Sequence, residues 1–174
     1  MFMRLPAAEF LRGKGDGNRR ALRRLVARRP PGLIAYDGDE PVAWVSVAPR
    51  EEFARFETSR VLAPVGGERV WSAPCFFVKA SHRGAGLSAA LLEAAARFAA
   101  TQGARSIEGY PNVNRHERQP AAFVWTGFES TFERAGFREV ARRSPARPIM
   151  RRDLTRRPAR TIVSKAARVG ARRG

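Results

Sequence analysis

A glycine-containing segment near the middle of the chain has the residue types that bind phosphate. Gly84 and Gly86 separate an apolar stretch that ends at Val78 from a helical pattern that begins at Leu87. Glycine lets the backbone approach an anion closely, and the first N–H groups of a helix are unpaired and partly positive. Arg83 adds a full positive charge. The segment predicts a phosphate-binding loop; the alternative is a tight connection that binds nothing.

Two familiar phosphate-binding motifs do not match this segment. The P-loop pattern Gly-x-x-x-x-Gly-Lys is absent from it. The dinucleotide fingerprint Gly-x-Gly-x-x-Gly would require a glycine where the chain has Ala89. The loop therefore belongs to neither class.

Glu108 is the candidate general base. It lies in a short, mostly apolar stretch, residues 106–110, that favours a strand. A carboxylate in such a place could accept a proton directly or through a water molecule. The alternative is a carboxylate that pairs with an arginine or makes a structural hydrogen bond.

Other reactive side chains are few. Cys75 is the single cysteine, and no Cys-His-Asp/Asn set is evident around it, so we interpret it as a small core residue. His82 and His116 are too few to form a metal cluster with it, and no metal site is predicted. His82 is expected to shape the phosphate loop.

The elements that position these residues follow from the periodicity of apolar residues. An amphipathic helix is expected to start at residues 16–18 and to end before Pro30. A hairpin, strands and further helices follow. Their predicted ranges are strands at 33–36, 42–47, 70–78, 106–110, 140–142 and 149–154, with helices at 87–101 and 130–135. This order predicts one α/β domain with a mixed central sheet and helices on both faces.

Composition sets the class of protein. The chain has 174 residues, 44% of them hydrophobic, so one core is expected without disulfide or metal support. The first ten residues lack a signal peptide pattern, and no apolar stretch approaches about 18 residues. We therefore expect a cytoplasmic protein that does not enter a membrane.

Charge points to an anionic partner. The formal net charge is +17, and residues 155–174 contribute seven positive charges without an acid. We expect residues 1–154 to form the domain and residues 155–174 to form a basic, disordered tail. Nucleic acid, a ribosome surface or a phosphorylated cofactor would suit this charge.

Two separated motifs resemble those of the GNAT N-acetyltransferases. Arg83-x-x-Gly86-x-Ser88 resembles the signature Arg/Gln-x-x-Gly-x-Gly/Ala, with Ser88 as a departure. Phe132-Glu-Arg-Ala-Gly-Phe137 resembles the family's Tyr-Glu-Lys-x-Gly-Phe, with Phe132 where many relatives have tyrosine. The resemblance covers residues 18–154.

The resemblance implies a co-substrate and a set of binding residues. Acetyl-coenzyme A would be the acetyl donor, and its pyrophosphate would bind the loop and the helix start. Its pantetheine arm would bind the backbone of the preceding strand. The implied residues are Phe76, Phe77, Val78, Arg83, Gly84, Ala85, Gly86, Leu87, Ser88 and Ala89.

The resemblance also implies direct transfer of the acetyl group to a primary amine of a small molecule or protein. Glu108 is the base candidate. Because Phe132 has no hydroxyl to protonate the leaving thiolate, Tyr110 is the candidate substitute acid. A homodimer is among the expected assemblies, since GNAT acceptor sites often include a second subunit. Two alternatives stay open: a non-catalytic module that binds acyl-coenzyme A, and a nucleic-acid-associated basic protein that uses the tail.

Overall fold

A computed structural model of the chain describes residues 1–113 and 125–155. The predictions for His116 and for residues 156–174 lie outside these residues. The helices are α1 (Ala7–Val26), α2 (Leu87–Thr101) and α3 (Glu129–Arg134), with 3₁₀ turns at Arg50–Glu52, Ala54–Phe56 and Ala80–His82. The strands are β1 (Gly32–Asp37), β2 (Glu40–Pro49), β3 (Trp71–Val78), β4 (Ser106–Gly109), β5 (Arg138–Arg142) and β6 (Pro148–Asp153).

The strands form one six-stranded sheet in the order β1-β2-β3-β4-β6-β5. The β3–β4 pair is parallel and is connected through α2, whereas every other neighbouring pair is antiparallel. A parallel pair needs such a crossover, and a hairpin is enough for an antiparallel pair. The predicted α/β domain with a mixed sheet is confirmed.

Helices α2 and α3 cover one face of the sheet. The buried face of α2, which includes Leu92 and Ala95, packs on sheet residues such as Val45 and Ile107. Phe132 of α3 belongs to the same core cluster. Because side chains alternate along a strand, the neighbours of these sheet residues point to the opposite face.

The opposite face carries a second, smaller core beneath the 3₁₀ turns. Phe53 and Phe56 pack there with Tyr110 and Ile149. Sequence periodicity indicates only a polar, irregular segment at residues 49–68. The two phenylalanines of that segment nevertheless supply the apolar surface that covers this face.

The first helix differs most from the prediction. It begins at Ala7, although the sequence predicts a start at residues 16–18. The Asn18 side-chain amide donates a hydrogen bond to the Phe10 carbonyl at 3.0 Å, which joins two helical segments across a kink at Lys14. Unlike α2 and α3, α1 has no buried residue. In the described part of the chain, every helix is too short or too polar to cross a bilayer.

Candidate active site

The glycine loop has a backbone conformation that residues other than glycine rarely adopt. Gly84 and Gly86 have φ values of 83° and 77°, in the left-handed region that glycine enters without steric cost. Gly86 is the residue that precedes α2, and no side chain caps this helix start. A Cβ atom on either glycine would meet no neighbouring atom within 4 Å, so the loop borders open space.

The backbone amides of this loop are available to an anion. None of the N–H groups of residues 84–88 donates a backbone hydrogen bond to a described residue. The Ala89 N–H, by contrast, already donates to the Gly86 carbonyl at 3.0 Å. The run of amides without a backbone partner therefore ends at Ser88, and Ala89 contributes less than the resemblance implies. The residues present fit an anionic pyrophosphate at this helix start.

The cations around the loop are not equally free. Lys79 pairs with Glu40, and the His82 ring lies 3.3 Å from the Asp37 carboxylate. Arg83 is exposed and donates only to the Val78 carbonyl, at 3.3 Å. Within the described residues, Arg83 is thus the loop cation that no carboxylate neutralises.

The sheet opens between β3 and β4 beside the loop. The two strands pair only at Trp71 with Ile107 and at Ser72 with Glu108. Pro74 follows and has no N–H with which to continue the ladder. β3 also has a bulge there, because Ser46 lies opposite Cys75 and Ala48 lies opposite Ser72. The proline and the bulge together explain why the strands separate.

A returning segment, residues 125–128, enters the deep end of this opening. The Trp125 carbonyl accepts a hydrogen bond from the Phe76 N–H at 2.7 Å. On the other side, the Asn112 N–H donates to the Gly127 carbonyl at 2.9 Å. The segment therefore bridges the separated strands through backbone hydrogen bonds.

This bridge changes which amides of β3 a pantetheine arm could reach. The Lys79 N–H donates to Val42 of β2, so the Val78 N–H, one residue earlier, points away from β2 and towards the opening. The Phe76 N–H points the same way but already has the Trp125 carbonyl as its partner. Val78 is the available amide, whereas Phe77 presents a side chain that is 55% exposed.

Phe132 closes the floor of the opening. It is fully buried and makes edge-to-face contacts with Phe76 and Phe137, with ring centroids 5.8 and 5.2 Å apart. A Cβ atom on Gly109 would lie 1.8 Å from the Phe132 ring, so this glycine permits the close approach of α3 to β4. The position of the family's tyrosine thus holds an apolar side chain in an apolar environment.

Glu108 lies on the other face of the sheet, where it has the arginine partner considered as the alternative to catalysis. Its side chain is 1% exposed. One carboxylate oxygen accepts from Arg151 Nη2 at 2.7 Å and Nε at 3.1 Å. The other accepts from the Tyr110 hydroxyl at 3.0 Å and lies 3.6 Å from Arg50 Nη1. Both oxygens are therefore engaged.

Tyr110 is the centre of the same network. Its hydroxyl accepts from Arg50 at 2.7 Å and lies 2.8 Å from the Ser72 hydroxyl. Burial, followed by the negative charge of Glu108, raises the pKa of Tyr110 well above its ordinary value of 10.0. Such a phenol keeps its proton at neutral pH.

Sequence reasoning missed Arg50 and Arg151, which lie far from Glu108 along the chain. No local pattern marks them, because the strand order brings them together. A third arginine, Arg143, joins them in holding residues 62–65, which we call the strap. Its four successive carbonyls accept hydrogen bonds from arginines: Leu62 from Arg50, Ala63 and Pro64 from Arg143, and Val65 from Arg151.

Cys75 is half-buried on β3, and burial raises the pKa of its thiol. A thiol that resists ionisation is a poor nucleophile, which agrees with its interpretation as a packing residue. The described residues include no group of three or more His, Cys, Asp or Glu side chains placed to hold a metal ion.

Solved structures with similar folds include two that were solved with a coenzyme bound. YncA from Salmonella typhimurium, solved with its cofactor acetyl-CoA, is 16% identical, with a TM-score of 0.51 over 83% of this chain and 77% of that chain. The NatC complex bound to a Gag peptide and CoA is 14% identical, with a TM-score of 0.51 over 77% and 78%. At these identities the likeness shows a shared fold.

The comparison with curated proteins finds no match. The model of the "Acetyltransferase (GNAT) family" matches residues 2–123, well over half of the chain. This match includes the glycine loop, α2 and β4. The chain therefore belongs to the GNAT acetyltransferase family.

Proposed function

We propose that this protein transfers an acetyl group from acetyl-CoA directly to a primary amine. The observation that carries the proposal is the start of α2, which no side chain caps and which follows two glycines with positive φ. This helix start lies next to the opening between β3 and β4. The loop amides and Arg83 would bind the pyrophosphate. The Val78 amide would bind the pantetheine arm.

Direct transfer needs little from the protein beyond positioning. The amine nitrogen forms a bond to the acetyl carbon, the carbon–sulfur bond breaks, and the sulfur leaves as a thiolate. An amine that arrives neutral needs a base only to remove the proton released after attack. The absence of a tyrosine at position 132 is compatible with this reaction, because a thiolate leaves without strong acid assistance.

The coenzyme site is tested with Gly86→Glu, which places a carboxylate and a strained residue where the pyrophosphate would bind. Gly103→Glu is the matched control, because Gly103 lies just beyond the other end of α2 with a φ of 81° and equally open space. Each change costs about 1–2 kcal/mol of backbone strain. We expect calorimetric binding of acetyl-CoA to be lost only in Gly86→Glu.

Binding lost equally in both variants, or no binding by the folded wild type, would contradict the proposal. Where binding is found, an amine panel with a free-thiol readout follows. The panel includes peptide N-termini, lysine side chains and small polyamines. Turnover of any of these excludes the alternative of a non-catalytic acyl-coenzyme A module, which the buried Phe132 favours.

The base role of Glu108 has its own test. Removal of a general base lowers the rate by about 10²–10⁴-fold. Because both oxygens of Glu108 already have partners, we expect Glu108→Gln to slow turnover by less than tenfold while it reduces the free energy of unfolding by about 3–5 kcal/mol. Turnover that is slower by two orders of magnitude or more, in folded protein with a changed pH profile, would contradict this expectation and assign the base to Glu108.

A further inference from the structure

The second half of α1 presents a row of arginines that the proposed activity does not use. Arg19, Arg20, Arg23 and Arg24 are all exposed. Between Asp16 and Asp37 the chain has no acidic residue. The helix therefore carries a concentrated positive charge near the surface.

These four arginines share one side of the helix. At 3.6 residues per turn, each residue is rotated by about 100°, so the four lie within an arc of about 140°. Leu22 and Leu25 lie on the remaining arc and are half-buried. From Arg19 to Arg24 the helix rises by about 7.5 Å, so the row is dense. We call these four arginines the α1 cationic face.

The α1 cationic face has no neutralising partners among the described residues. In residues 1–113 and 125–155, none of its four arginines forms an ion pair, whereas Arg4, Arg142, Arg151 and Arg152 all pair with glutamates. Glutamates thus neutralise those other arginines, whereas the charge of the α1 cationic face remains available to a binding partner.

We propose that the α1 cationic face binds the phosphate backbone of nucleic acid. Guanidinium groups bind phosphate through paired N–H donors, and a row of them matches a regularly spaced polyanion. A helix that lies in the interface of an anionic membrane also buries an apolar face beside its cations. Here Leu22 and Leu25 are half-buried, and Val26 is the apolar side chain of this helix half that is mainly exposed, at 55%. The observations therefore favour nucleic acid.

The proposal predicts a measurable salt dependence. Each neutralised phosphate contributes about −0.9 to the slope of log K against log salt on duplex DNA. Loss of four contacts would make the slope shallower by about 3 to 4. A uniform, sequence-independent loss of affinity would accompany it, because phosphate contacts carry no sequence information.

The test uses the full chain and a fluorescently labelled DNA duplex, with anisotropy measured over a series of salt concentrations. The variant replaces Arg19, Arg20, Arg23 and Arg24 with glutamine. The control replaces Arg60, Arg105, Arg134 and Arg138 with glutamine. These four arginines are exposed, lie elsewhere on the fold and form no ion pair with described residues. Net charge changes equally in both.

We expect the α1 variant to bind at least tenfold more weakly than the control variant, with the shallower slope. Equal losses in both variants would show a response to net charge alone and would overturn the proposal. So would the absence of DNA binding by the wild type, or full retention of affinity in the α1 variant. Tighter binding to phosphatidylserine vesicles than to DNA would assign the face to membranes instead. None of these outcomes depends on Gly86 or on catalysis.

Discussion

The network around Glu108 consists of buried polar side chains that replace water as its hydrogen-bond partners. A carboxylate that is 1% exposed loses its hydration, and the arginines at 2.7 and 3.6 Å replace it. Removal of one member of such a pair leaves an uncompensated charge and commonly costs about 3–5 kcal/mol. The network is therefore more costly to break than a surface ion pair, and it holds β4, β6 and the turn after β2 in one arrangement.

Tyr110 should titrate very differently in the native and the unfolded protein. It is buried in the native state, and its pKa is raised there. An unfolded tyrosine ionises near pH 10, while native Tyr110 keeps its proton. Above about pH 10 the native state thus binds more protons than the unfolded state, and its stability falls by up to about 1.4 kcal/mol per pH unit. Below that pH the stabilisation is fully present.

Tyrosinate absorbance measures this difference. We expect Tyr110 to ionise only when the protein unfolds. Tyr110→Phe should remove the tyrosinate signal that accompanies alkaline unfolding and make the alkaline loss of stability shallower. A tyrosinate signal in the folded protein that Tyr110→Phe removes would show that Tyr110 is accessible to solvent.

At the scale of elements, the site depends on where β3 stops pairing with β4. Pro74 and the bulge end the parallel ladder after two pairs, and residues 125–128 then enter between the strands. The glycine loop follows β3 directly and places the start of α2 at the edge of the same opening. One strand therefore positions both proposed contacts with the coenzyme.

The strap is the element whose attachment is easiest to weaken. Arg143 donates to Ala63 and Pro64, at 2.6 and 3.0 Å, and is itself exposed. Because Arg143→Gln removes these donors without entering the core, we expect faster amide hydrogen exchange at Leu62, by about three- to tenfold. The Leu62 N–H is a suitable probe because it donates to the Ser59 hydroxyl in the native structure.

Arg138→Gln is the control for this experiment, since Arg138 is an exposed arginine of the neighbouring strand β5. Its exchange at Leu62 should match that of the wild type. Unchanged exchange in Arg143→Gln would mean that Arg50 and Arg151 hold the strap without Arg143.

For the whole molecule, the distribution of charge matters more than its total. The formal charge is +17, yet the arginines within the fold mostly face glutamates or backbone carbonyls. The α1 cationic face lies on the helix that has no buried residue. We therefore expect nucleic acid to bind at the α1 cationic face. Charge complementarity steers a phosphate chain to a face that the described part of the fold leaves unneutralised.

Much of this architecture was predictable from local patterns. The helix at residues 87–101 matches α2, and the strand at 106–110 extends one residue beyond β4. Residue type permits, but does not determine, the positive φ values of the loop glycines, because glycine adopts either sign of φ at little cost. The predicted start of α1 was wrong because the Asn18 side chain bridges the kink at Lys14. The periodicity of apolar residues contains no information about such a hydrogen bond.

The partners of the site residues were decided by the tertiary structure. Glu108 lies 43 residues from Arg151, and the sheet order sets β6 beside β4. The Trp125 carbonyl on the Phe76 N–H likewise depends on a chain segment that returns from far along the sequence. The sequence by itself determined the elements, the glycine loop and the family motifs, because these depend on neighbouring residues. Which carboxylates are neutralised and which amides stay free depends on long-range packing, and only the folded chain decides that.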